Sequence, residues 1–262
     1  MKKILPTLLL ALTPLVAEPV LYEGFSPSGE GTERIGWQSD WHRLQGEVGS
    51  IPDSIGIPGL SGSKGALLLQ KKGEALAQVN VDVKGTFYGS FRLRTADLKN
   101  DSLLGVVFAK PDLDELTPKT ATFSLLVKGW RLDHAVLLSG GKVEKTGEGV
   151  PMEAKQAYLV LFKVENPASG PSTLTMWLVN PDQVLHFANR SLTESALNSV
   201  PLGADSGAVM QRLSLKAKNN VKLELSKGDV VACMAKFNPK AVFDEIRLST
   251  TSLEEAAGLN AN

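Results

Sequence analysis

The sequence is short of cysteine, with one residue, Cys233, in 262. A single thiol excludes an intrachain disulfide framework and any zinc site built from several thiolates. Histidine is scarce as well: His42, His134 and His186 lie far apart and leave little room for a histidine-rich metal centre. Net charge is absent, because 28 basic residues balance 28 acidic ones, so no long-range field draws the chain to nucleic acid or to an anionic membrane. Beyond the amino terminus no apolar run approaches the roughly 20 residues that span a bilayer as a helix. Gly-x-Ser-x-Gly, a phosphate-binding loop and His-Glu-x-x-His are all missing, which removes three common signatures of hydrolase and nucleotide chemistry. What is present is a hydrophobic fraction of 43%, enough to bury a core in one large β domain or two small ones. No composition break or internal repeat divides the chain, so one domain is expected.

Met1-Lys2-Lys3 begins the chain with positive charge, and an apolar run from Ile4 to Val16 follows, broken only by Pro6, Thr7, Thr13 and Pro14. Ala17 closes it before the polar pair Glu18-Pro19. This is the plan of a secretory signal peptide over 1–17, and the run is short and proline-interrupted for a retained membrane anchor. The expected location is therefore outside the cytoplasm: extracellular, periplasmic or on the cell surface. Removing Lys2 and Lys3 leaves 26 basic against 28 acidic residues, still close to neutral.

The remaining signals are short and of period two. Strands are expected over 66–70, 75–83, 86–94, 103–109, 122–128, 157–165, 173–179, 209–217, 221–225, 229–237 and 241–248. Turn formers separate them, among them Lys72-Gly73, Lys84-Gly85, Ser139-Gly140-Gly141 and Lys227-Gly228. Many short strands with regular turn signals predict an all-β sandwich or barrel with antiparallel pairing. Asn219-Asn220 reads as a two-residue hairpin link, since Asn tolerates positive φ. The stretch from 26 to 63 is rich in Gly, Pro and Ser and shows no clean strand. A short helical turn is expected over 193–199, and Ser252-x-x-Glu255 reads as a capping box. Cys233, inside the apolar run 230–235, reads as a buried inert thiol.

Several segments, in order, resemble a family of secreted bacterial proteins with a concanavalin A-like lectin/glucanase jelly roll. They are Leu21-Tyr22-Glu23-Gly24-Phe25, then Gly36-Trp37 with Trp41, Ile57-Pro58-Gly59-Leu60, and Thr86-Phe87-Tyr88-Gly89-Ser90-Phe91. Trp177 with Asn180-Pro181 and the closing Phe243-Asp244-Glu245-Ile246-Arg247 complete the set. The resemblance implies a two-sheet antiparallel jelly-roll sandwich over 18–255, with a short polar tail over 256–262. It also implies a secreted protein, in some members linked to glycans; an activity has to come from a site.

Retaining glycoside hydrolysis needs two carboxylates about 5–5.5 Å apart. Asp244 and Glu245 are neighbours, and on a regular strand they point to opposite faces. Glu245 and Arg247 share a face and are expected to pair. Ser61-Gly62-Ser63-Lys64 and Lys145-Thr146-Gly147 match elements of penicillin-recognising enzymes, but that serine must open a helix and these residues sit in a Gly-rich turn. Asp112, Asp114 and Glu115 form the densest acidic cluster, between Pro111 and Pro118. It reads as a solvated loop or, with oxygens from other segments, as a structural calcium site, the one cofactor the sequence suggests.

Aromatic residues remain, because sugars stack their C–H faces on exposed rings. Trp177 reads as core, and Trp37 and Trp41 read as packing for the long loop. Trp130 stands among polar neighbours, and Trp130, Arg131, Asp133 and His134 form the candidate glycan subsite; a lone strand-edge Trp has the same pattern. The leading expectation is a secreted, non-enzymatic module that binds carbohydrate or another surface polymer. A structural or protein-interaction component of the envelope or matrix comes second, and a divergent glycosidase or lyase third. Overall neutrality favours a neutral ligand such as a glycan, or none.

Overall fold

The computed structural model describes residues 18–25, 34–96, 101–111, 116–131, 134–141, 145–146, 150–180, 183, 192–202, 209–237 and 240–259. Among the described residues fourteen strands carry the fold: β1 (Leu21–Glu23), β2 (His42–Ile51), β3 (Ala66–Gln78), β4 (Phe87–Thr95), β5 (Leu103–Ala109), β6 (Phe123–Arg131), β7 (His134–Gly141), β8 (Lys145–Thr146), β9 (Val150–Pro151), β10 (Ala157–Glu165), β11 (Thr173–Val179), β12 (Val209–Lys216), β13 (Val230–Lys236) and β14 (Ala241–Ser249). Short helices accompany them, among them α1 (Glu194–Ser199) and α2 (Leu253–Ala257). The ladder runs β12-β11-β10-β4-β14-β3-β13-β5-β6-β7-β8, with β1 on β14, β2 on β3 and β9 on β7. Among the described residues no helix is long and apolar enough to cross a membrane.

This continuous ladder folds over on itself into two layers. Phe108 of β5 and Phe162 of β10 have four strands between them in the order, yet their ring centroids lie 5.8 Å from each other. Phe123 of β6 is likewise 6.4 Å from Phe87 of β4. Alternation explains the contact: the inward positions Phe87, Phe91 and Leu93, and Tyr158, Val160, Phe162 and Val164, face Leu104, Val106, Phe108, Phe123, Leu125 and Val127 across one core. The architecture is a two-sheet antiparallel jelly-roll sandwich.

Two strands cross from one layer to the other. The first half of β3 pairs with β14, through Leu67–Leu69 against Ala241–Phe243, and its second half pairs with β13. Between the halves Lys71 and Lys72 adopt φ of 51° and 62°, so the Lys72-Gly73 turn signal is a corner within one strand. β2 follows the same corner through Gly46 at φ 66°, where an added Cβ would lie 2.6 Å from the Gly73 Cα. β14 changes partner too, from β3 at Ala241–Phe243 to β1 at Ile246–Leu248, with its register irregularity between Asp244 and Arg247.

Part of the outer face of the layer that holds β10 and β11 is covered. Leu159, Leu161, Trp177 and Val179 pack under Leu197 of α1, Leu253 and Ala257 of α2, and Ile57 and Leu60 of the preceding loop. Thr193 caps α1 by accepting from the Ala196 N–H, and Ser252 caps α2 by accepting from the Glu255 N–H. Leu259 bridges Leu60, so packed structure continues to residue 259.

Three expectations change. β2 lies inside the stretch that showed no strand, because Gly46 and Gly49 interrupt its pattern and most of its residues are exposed. β7 takes up Ser139-Gly140-Gly141, expected as a turn, by pairing with β6. The 221–225 segment is not a strand of a hairpin. Asn219 and Asn220 do take φ near 55°, but the chain then leaves β12 and only Leu225 bridges, to Val83. Leu223 and Leu225 are nonetheless buried, as their alternation requires.

Candidate functional site

Two polar clusters lie side by side on the outer face of β4 and β14. The first is buried. Asp244 and Glu245 are 0% and 1% exposed, and adjacent positions on a regular strand would send them to opposite faces. The bulge overturns that expectation: Glu245 adopts φ 53°, and both carboxylates meet Ser63. The Ser63 N–H donates to Glu245 Oε1 at 2.6 Å, and Ser63 Oγ lies 3.3 Å from Asp244 Oδ1. Asp244 Oδ2 accepts from Ser54 Oγ at 2.7 Å and from the Ile55 N–H at 2.8 Å. The expected pair of Glu245 with Arg247 is present at 2.7 Å, and Arg247 also lies 4.2 Å from the Tyr22 ring centroid.

Arg92 completes this network. Its Nη1 donates to the Ile55 carbonyl at 2.9 Å and its Nη2 to the Ser61 carbonyl, while Nε has no hydrogen-bond partner. At the near end Glu23 accepts from Arg34 Nε and Trp41 Nε1, both at 2.7 Å. On the outer face two guanidinium groups, Arg92 and Arg247, thus accompany two carboxylates, Asp244 and Glu245, and tie the 54–63 segment to β14, while Glu23 is matched by Arg34, which also takes Asp40 at 2.6 Å. Burial, with the Glu245 charge beside it, raises the Asp244 carboxyl to about 7 against the pull of Ser54, the Ile55 amide and Arg92. Burial and Glu245 also push the Tyr22 phenol up, and burial pulls Arg92 down. Two carboxylates converge here, but both are covered by the 54–63 segment, so neither faces an open groove.

The second cluster is open. A cleft of about 350 Å³ is lined by Ile51, Asp53, Leu68, Arg94, Ala96, Lys155, Lys240 and Val242. The strands explain its make-up. Leu68 and Val242 are the outward positions next to inward Leu67, Leu69 and Phe243, and with Ile51 they form an aliphatic floor. Arg94 is the outward position two residues beyond Arg92. Lys155 stands in the turn before β10 at φ 68°, fixed by its N–H to the Thr95 carbonyl at 2.6 Å. Lys240 enters β14, and its carbonyl accepts from the Ala96 N–H at 3.0 Å. Among the described residues the cleft holds one carboxylate, Asp53, which takes Arg94 Nη2 at 2.7 Å. Three cations over an apolar floor with one anion leave a local surplus of positive charge that overall neutrality hides.

These cleft residues were missed in the sequence because Asp53, Arg94, Lys155 and Lys240 share no motif or spacing. The sequence-derived candidates fall elsewhere. Asp112, Asp114, Glu115 and Asp133 lie outside the described residues, as does His186. Trp130, Arg131 and His134 lie on the β6–β7 hairpin, where Arg131 pairs with His134 and the backbone alone is described. The other indoles pack as expected: Trp177 is buried with Nε1 3.2 Å from Asn198 Oδ1, and the Trp41 ring packs at a tilt with its centroid 5.1 Å from that of Phe25 and 5.2 Å from that of Trp37. Ser61 and Ser63 lie in a non-helical segment, and Ser63 Oγ donates to the Gly24 carbonyl at 2.5 Å. Cys233 is fully buried, and burial pushes its thiol well up.

No family model matches the chain, and no curated protein matches it. Among solved structures it is similar to an endo-β-1,4-glucuronan lyase from the fungus Trichoderma reesei, at 9% identity and TM-score 0.49, covering 89% of this chain and 96% of that one. A conserved carbohydrate esterase of the Shiga toxin-encoding bacteriophage phi24B is similar at 9% identity and TM-score 0.49, covering 88% and 97%. The marine PL-14 alginate lyase from Aplysia kurodai follows at 9% identity and TM-score 0.44, covering 77% and 89%.

Proposed function

We propose that this protein is an exported, non-enzymatic jelly-roll module that binds carbohydrate, and that the cleft beside β4 and β14 is its binding site. The cleft itself carries the reading: an aliphatic floor of Ile51, Leu68 and Val242 rimmed by hydrogen-bond donors. A pyranose ring has the complementary surface, apolar C–H on its faces and hydroxyls around its edge. The volume is at the small end of ligand sites, suited to one or two rings. Elsewhere on this sheet's outer face α1, α2 and the 54–63 segment occupy the ground that a long glycan groove would need. Absence of catalysis is part of the proposal, since the converging carboxylates Asp244 and Glu245 are buried.

The test is retention of the folded protein on a panel of neutral and acidic polysaccharides, with and without calcium, beside Leu68→Gln. Retention on at least one polymer that falls in the variant supports the reading. No retention on any polymer overturns it. If Trp130→Ala removes retention and Leu68→Gln does not, the ligand sits on the β6–β7 hairpin instead. Export is tested by the amino terminus of the protein recovered outside the cytoplasm, which the signal-peptide reading places just after Ala17.

A further inference from the structure

We infer that the cleft selects a carboxylate-bearing sugar, a uronate, over its neutral counterpart; this deepens the carbohydrate reading and rests on it. Among the described residues Arg94, Lys155 and Lys240 outnumber the single carboxylate Asp53. Among the described residues neither lysine side chain has a hydrogen-bond or ion-pair partner, and Arg94 gives only Nη2, to Asp53. A neutral sugar engages these groups through hydroxyls alone and leaves their charge for water to solvate. A planar carboxylate matches the remaining edge of the guanidinium fork, and the flanking ammonium groups add charge-assisted hydrogen bonds. The floor argues against a fatty acid, since Ile51, Leu68 and Val242 line an open cleft of about 350 Å³ and offer no enclosed channel for an acyl chain.

The contrast with the neighbouring network strengthens the inference. Where the same face is covered, two cations, Arg92 and Arg247, are matched by two carboxylates, Asp244 and Glu245; where it is open, the match stops among the described residues. A surplus of charge at a solvated site costs the fold little and is available to an anion.

Affinity electrophoresis of the full protein tests this in gels holding a polyuronate, the same polymer with its carboxylates reduced to alcohols, or a sulfated polymer of similar charge density. The expected result is retention on the polyuronate about tenfold stronger than on the reduced chain, with the sulfated polymer weaker than the polyuronate. In the double variant Lys155→Gln/Lys240→Gln the difference between polyuronate and reduced chain shrinks to about twofold or less. Both lysines are exposed, and an unchanged denaturation midpoint shows that the variant is folded. Equal retention on the polyuronate and its reduced form overturns the selection and leaves the carbohydrate reading standing. Equal or stronger retention on the sulfated polymer overturns it in favour of a general polyanion surface. Retention on none of the three overturns the selection, and with the neutral panel also negative, the carbohydrate reading too.

Discussion

Arg92 and Arg94 stand two positions apart on one strand and point to the same side of the sheet, yet they face opposite demands. Arg92 is 1% exposed beneath the 54–63 segment; the Arg94 side chain, just past the edge of that cover, is 27% exposed. Around Arg92 acidic side chains accompany the cations, because a buried ion without a counter-ion would cost several kcal/mol. Around Arg94 the charges do not balance, because water solvates the excess. The cover therefore decides what an arginine on this face does. Under it the residue holds the fold together, and beyond it the residue is free to meet a ligand.

The largest effect should come from breaking the covered side. Arg92→Met removes the cation that acts on Asp244 and strands the Ile55 and Ser61 carbonyls, and should cost about 3–5 kcal/mol in urea denaturation. A loss below about 1 kcal/mol would show that charge balance is not what holds the 54–63 segment, and the contrast with Arg94 would collapse.

Next in size is the pH response of the same network. Asp244 titrates at about 7 in the fold against an ordinary 3.8, so between these values the folded chain keeps a proton that the unfolded chain has lost. Its contribution to stability is therefore greatest below about pH 4, declines as pH rises toward 7 and is flat above, with a slope of up to about 1.4 kcal/mol per pH unit. Asp244→Asn should remove that slope and lower stability at acid pH, because its amide N–H₂ must face either the Ile55 or the Glu245 backbone N–H. Identical slopes in the two proteins would show that Asp244 keeps its charge in the fold.

The contrast also explains what could be read in advance. Strands such as β5, β10 and β11 were legible to the residue, because they are buried and the period-two pattern is a pattern of burial. β2 was not, since most of its residues are exposed and its corner needs Gly46. The Asp244–Glu245 convergence was hidden for a related reason: alternation assumes a regular strand, and the bulge arises where β14 exchanges β3 for β1, a long-range event. The cleft was hidden most fully. Asp53, Arg94, Lys155 and Lys240 come from four separate segments, and composition averaged their surplus to zero.

A smaller effect on stability is expected on the open side. Lys155→Gln/Lys240→Gln should leave the unfolding free energy within about 0.5 kcal/mol, as for surface changes without partners, while weakening polyuronate retention. A loss comparable to that of Arg92→Met would mean that these lysines also serve the fold, and the line between covered and open would have to be redrawn.

Smallest and sharpest is Asp53→Asn. The Asp53 side chain is 66% exposed and pairs with Arg94 Nη2 at 2.7 Å, so the pair contributes between about 0 and 1 kcal/mol to stability. Asn keeps a carbonyl oxygen for the same guanidinium nitrogen, so the Arg94 geometry is retained while the one negative charge that the described residues give the cleft is removed. If Asp53 competes with an incoming carboxylate, the variant should hold the polyuronate about two- to fivefold more tightly at low salt. That gain should fade near 1 M salt, where screening extends over only about 3 Å. Weaker retention in the variant would assign Asp53 the opposite role, that of orienting Arg94, and would move the boundary of the balanced network one residue further, from Ser54 to Asp53.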